Sequence, residues 1–321
     1  MKYRLLGQSD LNVSVVALGT MSWPGCRFGA SSFPRTEIDL SALKIQLHVA
    51  RDAGINLIDT AEGYGRGLAE ELLGELLQDP ALRKHFLITT KVGPLFPEAS
   101  EPQRSVNLSP THVRRCCEAS LRRLGLDCLD LYLAHWPDPD TPLHETMGVM
   151  AELKKEGKIR WFGVSNFNND QLSECLALAD TTLPVVTNQI PYSLADRGIE
   201  ADRLPFCQKN QIGIMAYSPL GKGLLGGNYS LTQLPPPNDY RHQRPHFAPE
   251  NLSRNMALAD KLRLLSAQLS ITPAQLALAW ALANPAITTV LPGAKTPDQL
   301  RDSAGAGSLT LPDNILHQLN A

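Results

Sequence analysis

Eight short apolar runs recur along the chain: Val13–Leu18, Asn56–Asp59, Phe86–Thr90, Leu129–Ala134, Arg160–Val164, Val185–Gln189, Gly213–Tyr217 and Thr288–Leu291. Several are apolar at nearly every position instead of every second one, as in strands covered on both faces. The stretches between them change period. Apolar residues three and four apart predict helices over Ser41–Ala53, Leu68–Leu77, Ser109–Leu124, Leu143–Lys155, Asn168–Ala179, Glu200–Lys209, Asn255–Leu269, Pro273–Ala283 and Pro297–Ala304. Pro110 marks a helix start behind Ser109, a candidate N-cap, and Gly125 a stop. Eight strand–helix alternations, with no Gly/Ser linker between halves, predict one (β/α)8 TIM-barrel domain over residues 1–321. Tyr3–Leu5 and the start of the Val13 run flank Gln8-Ser9-Asp10 and predict a short N-terminal hairpin at the barrel bottom. A doubly wound sheet would carry G-x-G-x-x-G after its first strand. Here that strand runs into Gly19-Thr20-Met21-Ser22-Trp23, and the glycines of Gly63-Tyr64-Gly65-Arg66-Gly67 have the wrong spacing.

Composition narrows the class. Hydrophobic residues at 43% supply a large core, and 30 Lys+Arg against 32 Asp+Glu give a net charge of −2. That balance lacks the basic footprint of a nucleic-acid binder. Met1-Lys2-Tyr3-Arg4 leads into no secretory apolar stretch, and the run Leu276–Ala283 falls far short of the ~20 residues of a membrane span. A cytoplasmic protein without membrane partners is expected. The six cysteines, Cys26, Cys116, Cys117, Cys128, Cys175 and Cys207, include no C-x-x-C pair. They read as reduced core thiols, and no metal site is expected.

Three connections are long: Thr20–Leu40, Val92–Leu108 and Leu220–Glu250. Each follows a strand, which in a barrel puts it on the C-terminal face where chemistry sits. The last contains Pro235-Pro236-Pro237 and the basic residues Lys222, Arg241 and Arg244. With few apolar anchors and no evident acidic partners, it is expected to close over an anionic ligand.

Four polar residues stand at or just beyond strand ends: Asp59, Tyr64, Lys91 and His135. Adjacent parallel strands lie ~4.8 Å apart, so these ends converge on one small volume. There Lys91 would lower the pKa of the Tyr64 phenol and Asp59 would fix Lys91. Tyr64 would donate a proton, and His135 would orient a carbonyl and steady its oxygen. The set suits a C=O polarised for attack by hydride.

The sequence resembles the aldo-keto reductases, from Leu6-Gly7 to Ser303-Ala304-Gly305. The resemblance rests on Asp59-Thr60-Ala61-Glu62-Gly63-Tyr64-Gly65, Lys91-Val92-Gly93, Leu129 to Asp138, and Gly163-Val164-Ser165-Asn166-Phe167. Tyr217 to Leu225 is similar to the bacterial, plant and potassium-channel β-subunit-like branches. It implies Asp59, Tyr64, Lys91 and His135 as the catalytic set and an extended NADP(H) on the barrel top. Ser165, Asn166 and Gln189 match the carboxamide positions, Tyr217 the stacking aromatic, and Ser218, Leu220 and Lys222 the pyrophosphate loop. Gly293, Lys295, Gln299 and Ser303 match the adenosine end, Thr20 and Met21 further cofactor contacts, and Trp23 and Trp136 the substrate pocket. Ser303 stands where Asn is usual, and Asn228 where Lys is common. The implied activity is NADPH-dependent reduction of a small carbonyl. The alternatives are an NAD-dependent sugar or polyol dehydrogenase and a cofactor-sensing regulatory subunit.

Overall fold

A computed structural model of the chain describes residues 1–29, 34–96, 105–178, 184–227, 229–230, 232–236 and 239–321. Eight parallel strands, neighbours in space as in sequence, form a barrel. They are β1 (Leu18–Gly19), β2 (Leu57–Asp59), β3 (Leu87–Val92), β4 (Leu129–Ala134), β5 (Ile159–Ser165), β6 (Val185–Pro191), β7 (Gly213–Tyr217) and β8 (Ile287–Leu291). Parallel bridges Val16↔Val290 and Gly19↔Gly293 close the ring. The outer helices are α1 (Leu40–Asp52), α2 (Leu68–Leu76), α3 (Pro110–Leu124), α4 (Leu143–Lys155), α5 (Asn169–Leu178), α6 (Arg203–Lys209), α7 (Pro249–Gln268), α8 (Pro273–Ala283), α9 (Pro297–Gly305) and α10 (Asp313–Asn320). Local signals set their ends. Thr272 and Gln275 form a reciprocal capping box on α8, and Gly125 ends α3 at φ +65°. Ser109 holds the N-cap position of α3, but its side chain caps nothing.

The predicted first strand is divided. Asn12–Ser14 pairs antiparallel with Tyr3–Leu5 as the hairpin, whereas Leu18–Gly19 pairs with β2 and Val16 bridges Val290 of β8. Among the described residues, a short helix at Pro80–His85, the pair Pro94–Leu95 with Ser105–Val106, and α10 went unpredicted. Ala179, Asn228 and Pro237 lie outside the described residues, as do 30–33 and 97–104 of the long loops.

The barrel separates two cores. Leu57, Leu131, Leu133, Met215 and Leu291 point inward and pack with Leu6, Leu11 and Val13 of the hairpin, which plugs the bottom. Ile58, Ile88, Tyr132, Phe162 and Val290 point outward under the helices. Because side chains alternate, the next inward layer up is Asp59, Lys91, His135, Ser165, Gln189 and Tyr217. Strand period alone therefore brings these polar residues to the barrel mouth. Gly163 belongs to the same inward set. A Cβ there would meet Thr187 Cγ2 at 2.5 Å and Leu133 Cδ2 at 2.7 Å. Gly163→Ala should destabilise the protein by about 1–3 kcal/mol through overpacking, read as a lower denaturation midpoint at unchanged slope.

Candidate active site

Lys91 is fully buried at the end of β3. Its ammonium donates to Asp59 Oδ2 at 2.8 Å, to Thr60 O at 2.7 Å and to Tyr64 Oη at 3.1 Å. Asp59 Oδ1 accepts from Gln189 Nε2 at 2.8 Å, a strut from β6 across the mouth to β2. Ser165 Oγ donates to Gln189 O at 2.8 Å and accepts from Asn166 Nδ2 at 3.0 Å. Asn166 Nδ2 also reaches His135 O, and Asn166 Oδ1 accepts from Tyr217 Oη at 2.9 Å. Thr20 Oγ1 donates to Asp59 O and Thr60 Oγ1. One network thus links Thr20, Asp59, Tyr64, Lys91, His135, Ser165, Asn166, Gln189 and Tyr217, contributed by the ends of seven strands.

The turn after β2 delivers the phenol. Thr60 N–H continues the ladder onto Thr89 O, and Tyr64 N–H closes a turn on Ala61 O. The loop after β1 then pairs with this turn: Gly29 N–H donates to Gly63 O, and Gly65 N–H to Arg27 O. Gly65 sits at φ +61°, and a Cβ there would meet Gly25 O at 2.7 Å. This pairing sets Phe28 edge-on to Tyr64, Phe96 and His135, with ring centroids 6.5, 5.2 and 5.2 Å away. Trp136 stacks beside His135. Three aromatic side chains therefore wall the space above Tyr64 and His135. Phe96 escaped the sequence reading, where its only signal is an aromatic in a long loop after β3. Trp23 is 2% exposed and donates its indole N–H to Gln46 Oε1, which ties it to α1.

Electrostatics differ from expectation at Tyr64. Burial, then the negative charge of Asp59, holds its pKa well above the ordinary value of 10.0. The expected lowering by Lys91 does not prevail. Burial also lowers Lys91, while Asp59 works to keep it charged. The phenol is consequently held in its protonated form, the state a general acid needs.

The remaining predicted residues lie in the segments after β1, β7 and β8. After β7, Ser218, Gly221, Lys222 and Gly223 all take positive φ, and Lys222 Nζ donates to Ser218 Oγ at 2.6 Å. Leu220 is half-buried and Met21 is 38% exposed. Gly293 bridges to Gly19, and Ser22 donates to Ala294 O. Thr296 caps α9, where Lys295 N–H donates to Gln299 Oε1 and Ser303 is buried. The Lys295 ammonium has no partner among the described residues. The loop after β7 is better anchored than its sequence suggests. Leu224, Leu225 and Phe247 are buried, and Arg241 is paired with Asp239 at 2.7 Å.

The model of the Aldo/keto reductase family matches residues 16–321. The chain belongs to this family. It is an oxidoreductase fold of the kind that uses a nicotinamide cofactor on small molecules. The chain is 35% identical over 323 residues to the NADH-specific methylglyoxal reductase of Escherichia coli K12, covering 98% of this chain and 95% of that one. It is similar to the solved glycerol dehydrogenase of Gluconobacter oxydans, with 30% identity, a TM-score of 0.87, and 99% and 94% of the two chains covered. A second solved relative is the holo form of an aldo-keto reductase from Bacillus halodurans, with 28% identity, a TM-score of 0.80, and 100% and 95% covered. Among the described residues, no helix is long and apolar enough to cross a membrane.

Tyr64→Phe should cut carbonyl reduction by about 10²–10⁴-fold while leaving cofactor affinity within twofold or so, since it removes one proton donor and no cofactor contact. Steady-state rates beside fluorescence titration check both parts. A raised phenol pKa keeps the acid form populated to higher pH, so wild-type reduction should show no loss from Tyr64 ionisation up to pH 10.0. A pH–rate profile tests this.

Proposed function

We propose that the protein reduces a small aldehyde or ketone to the alcohol, with Tyr64 as general acid. The observation that carries this reading is the buried Lys91 ammonium bonded to both Asp59 and the Tyr64 hydroxyl. When bound, the nicotinamide supplies a hydride to the carbonyl carbon. The chain's own residues handle the oxygen. Tyr64 gives its proton to that oxygen as negative charge develops there, and His135 steadies it by hydrogen bonding. Lys91 stabilises the phenolate left on Tyr64, which regains its proton from solvent. Asp59 keeps Lys91 charged and in place.

The donor set fits an amide-bearing ring on an extended dinucleotide. Ser165, Asn166 and Gln189 would hold the carboxamide, and the Gln189 amide oxygen accepts no hydrogen bond among the described residues. Tyr217 would cover the ring face. Thr20, Met21, Ser218, Leu220 and Lys222 would follow the pyrophosphate, with Gly293, Lys295, Gln299 and Ser303 at the adenosine end. The Lys295 ammonium, without a partner among the described residues and beside the α9 N-terminus, supports NADPH, because a 2′-phosphate there gains a charge-assisted bond. A specific observation favours NADH instead: Asp298 places a carboxylate in the first turn of α9, and one relative bears the name NADH-specific.

The aromatic wall of Phe28, Phe96 and Trp136 supports a short substrate, such as a three-carbon 2-oxoaldehyde. Loss of nicotinamide absorbance with such an aldehyde tests the activity, and no turnover with either cofactor would overturn it. Lys295→Ala should weaken NADPH by about tenfold to a hundredfold and leave NADH unchanged. Should NADH bind more tightly and Asp298→Asn selectively restore NADPH, the second reading holds. Phe28→Ala should raise kcat/KM for a bulky aldehyde relative to a three-carbon one by about tenfold or more. Competition kinetics on the pair checks that ratio.

A further inference from the structure

Behind the catalytic turn lies a second group of chemistry-bearing side chains that this reaction does not use. His112 and Cys116 stand four residues apart on α3 and so share one face. Glu62 comes from the turn between β2 and Tyr64. One ligand atom from each lies within 4.8 Å of the other two, and His112 Nε2 is 3.3 Å from Cys116 Sγ. We propose that Glu62, His112 and Cys116 bind a thiophilic divalent cation of the zinc type.

The donor set is imidazole, thiolate and carboxylate, which suits zinc, and three protein ligands leave a fourth position for water. Zn–S and Zn–N bonds of tetrahedral zinc put their donor atoms roughly 3.5 Å apart, so the His112–Cys116 pair needs almost no adjustment. Glu62 closes the triangle by a small side-chain rotation. A second observation points to a ligand here. The Tyr132 hydroxyl is fully buried and has no hydrogen-bond partner among the described residues. The ionisable groups acting on it are Glu62, Cys117, Cys116 and Glu70. A water on the fourth position of the metal would supply that partner.

Charge balances: the cation's two positive charges meet one carboxylate and one thiolate, and the Cys116 thiol proton leaves to solvent as the S–metal bond forms. Two arginines lie close. Arg123 is engaged by Glu70 at 2.6 Å. Arg115 Nη2 is 3.0 Å from His112 Nδ1; it is exposed, and would turn outward once metal at Nε2 put the ring proton on Nδ1. Glu62 Oε1 also accepts the Gly93 N–H at 3.1 Å. The cation would therefore tie α3 to the backbone on both sides of the catalytic pair, two residues from Tyr64 and two from Lys91. Spacing along the sequence conceals the site, because Glu62 is remote from α3.

Chelator-stripped full-length protein titrated with Co²⁺ alone should develop a near-ultraviolet thiolate-to-cobalt charge-transfer band saturating at one equivalent. Zn²⁺ should abolish the band by displacement and raise the melting temperature. Cys116→Ser should lose the band, His112→Gln should weaken Co²⁺ at least tenfold, and Cys117→Ser should keep it. Absence of the band in wild type, or its survival in Cys116→Ser, overturns the proposal. These readouts are independent of carbonyl reduction, so a failure here leaves the proposed activity standing, and the reverse holds too.

Discussion

A lysine ammonium with no exposed surface has to be neutralised where it stands. An unpaired charge in a protein interior is costly by several kcal/mol, and removing one partner of a buried pair typically costs about 3–5 kcal/mol. Lys91 meets that demand with three acceptors, all from β2 and the turn after it. The pairing fixes more than a charge. It sets the register between β2 and β3 at their upper ends and brings the Tyr64 hydroxyl onto the ammonium. It also occupies one oxygen of Asp59, which leaves the other for Gln189 on the far side of the mouth. Strand period brings the polar residues to the mouth, and this one constraint sets how Asp59, Lys91, Tyr64 and Gln189 bond to one another there.

Much of this was legible in the sequence because it rests on period. Apolar runs and helical spacing locate the eight strands, and the inward alternation that carries Leu57 and Leu131 also carries Asp59 and His135. A side chain on a strand has only two facings, so a strand whose apolar positions are correctly oriented also puts its last residue on the correct face. What escaped depends on contacts between segments far apart in sequence. The run Val13–Leu18 looks like one strand, yet its first half is drawn to Tyr3–Leu5 and its second to β2 and β8. The pairing of Arg27–Gly29 with Gly63–Gly65 has no periodic trace. Neither has the Asp239 partner of Arg241, because a loop reveals its ion pairs only after it folds.

The acidity of Tyr64 shows the same division. A neighbouring cation is visible in the sequence, and alone it lowers a phenol's pKa. Depth of burial is not visible, and here burial, followed by Asp59, raises the pKa. The Tyr64 proton is thus held firmly, in a site walled by aromatic rings.

The closure of the barrel also has a history in time. Val16 and Gly19 take their second neighbours from Val290 and Gly293. Roughly 270 residues must be synthesised before those partners exist. At ~5–20 residues per second the nascent chain waits on the order of ten to fifty seconds with its first strand unpaired on one edge. A two-residue strand offers little template to a neighbouring chain, and the hairpin beneath it already occupies the flanking residues. The shortness of β1, which looks like a weakness in the finished barrel, therefore protects the unfinished one.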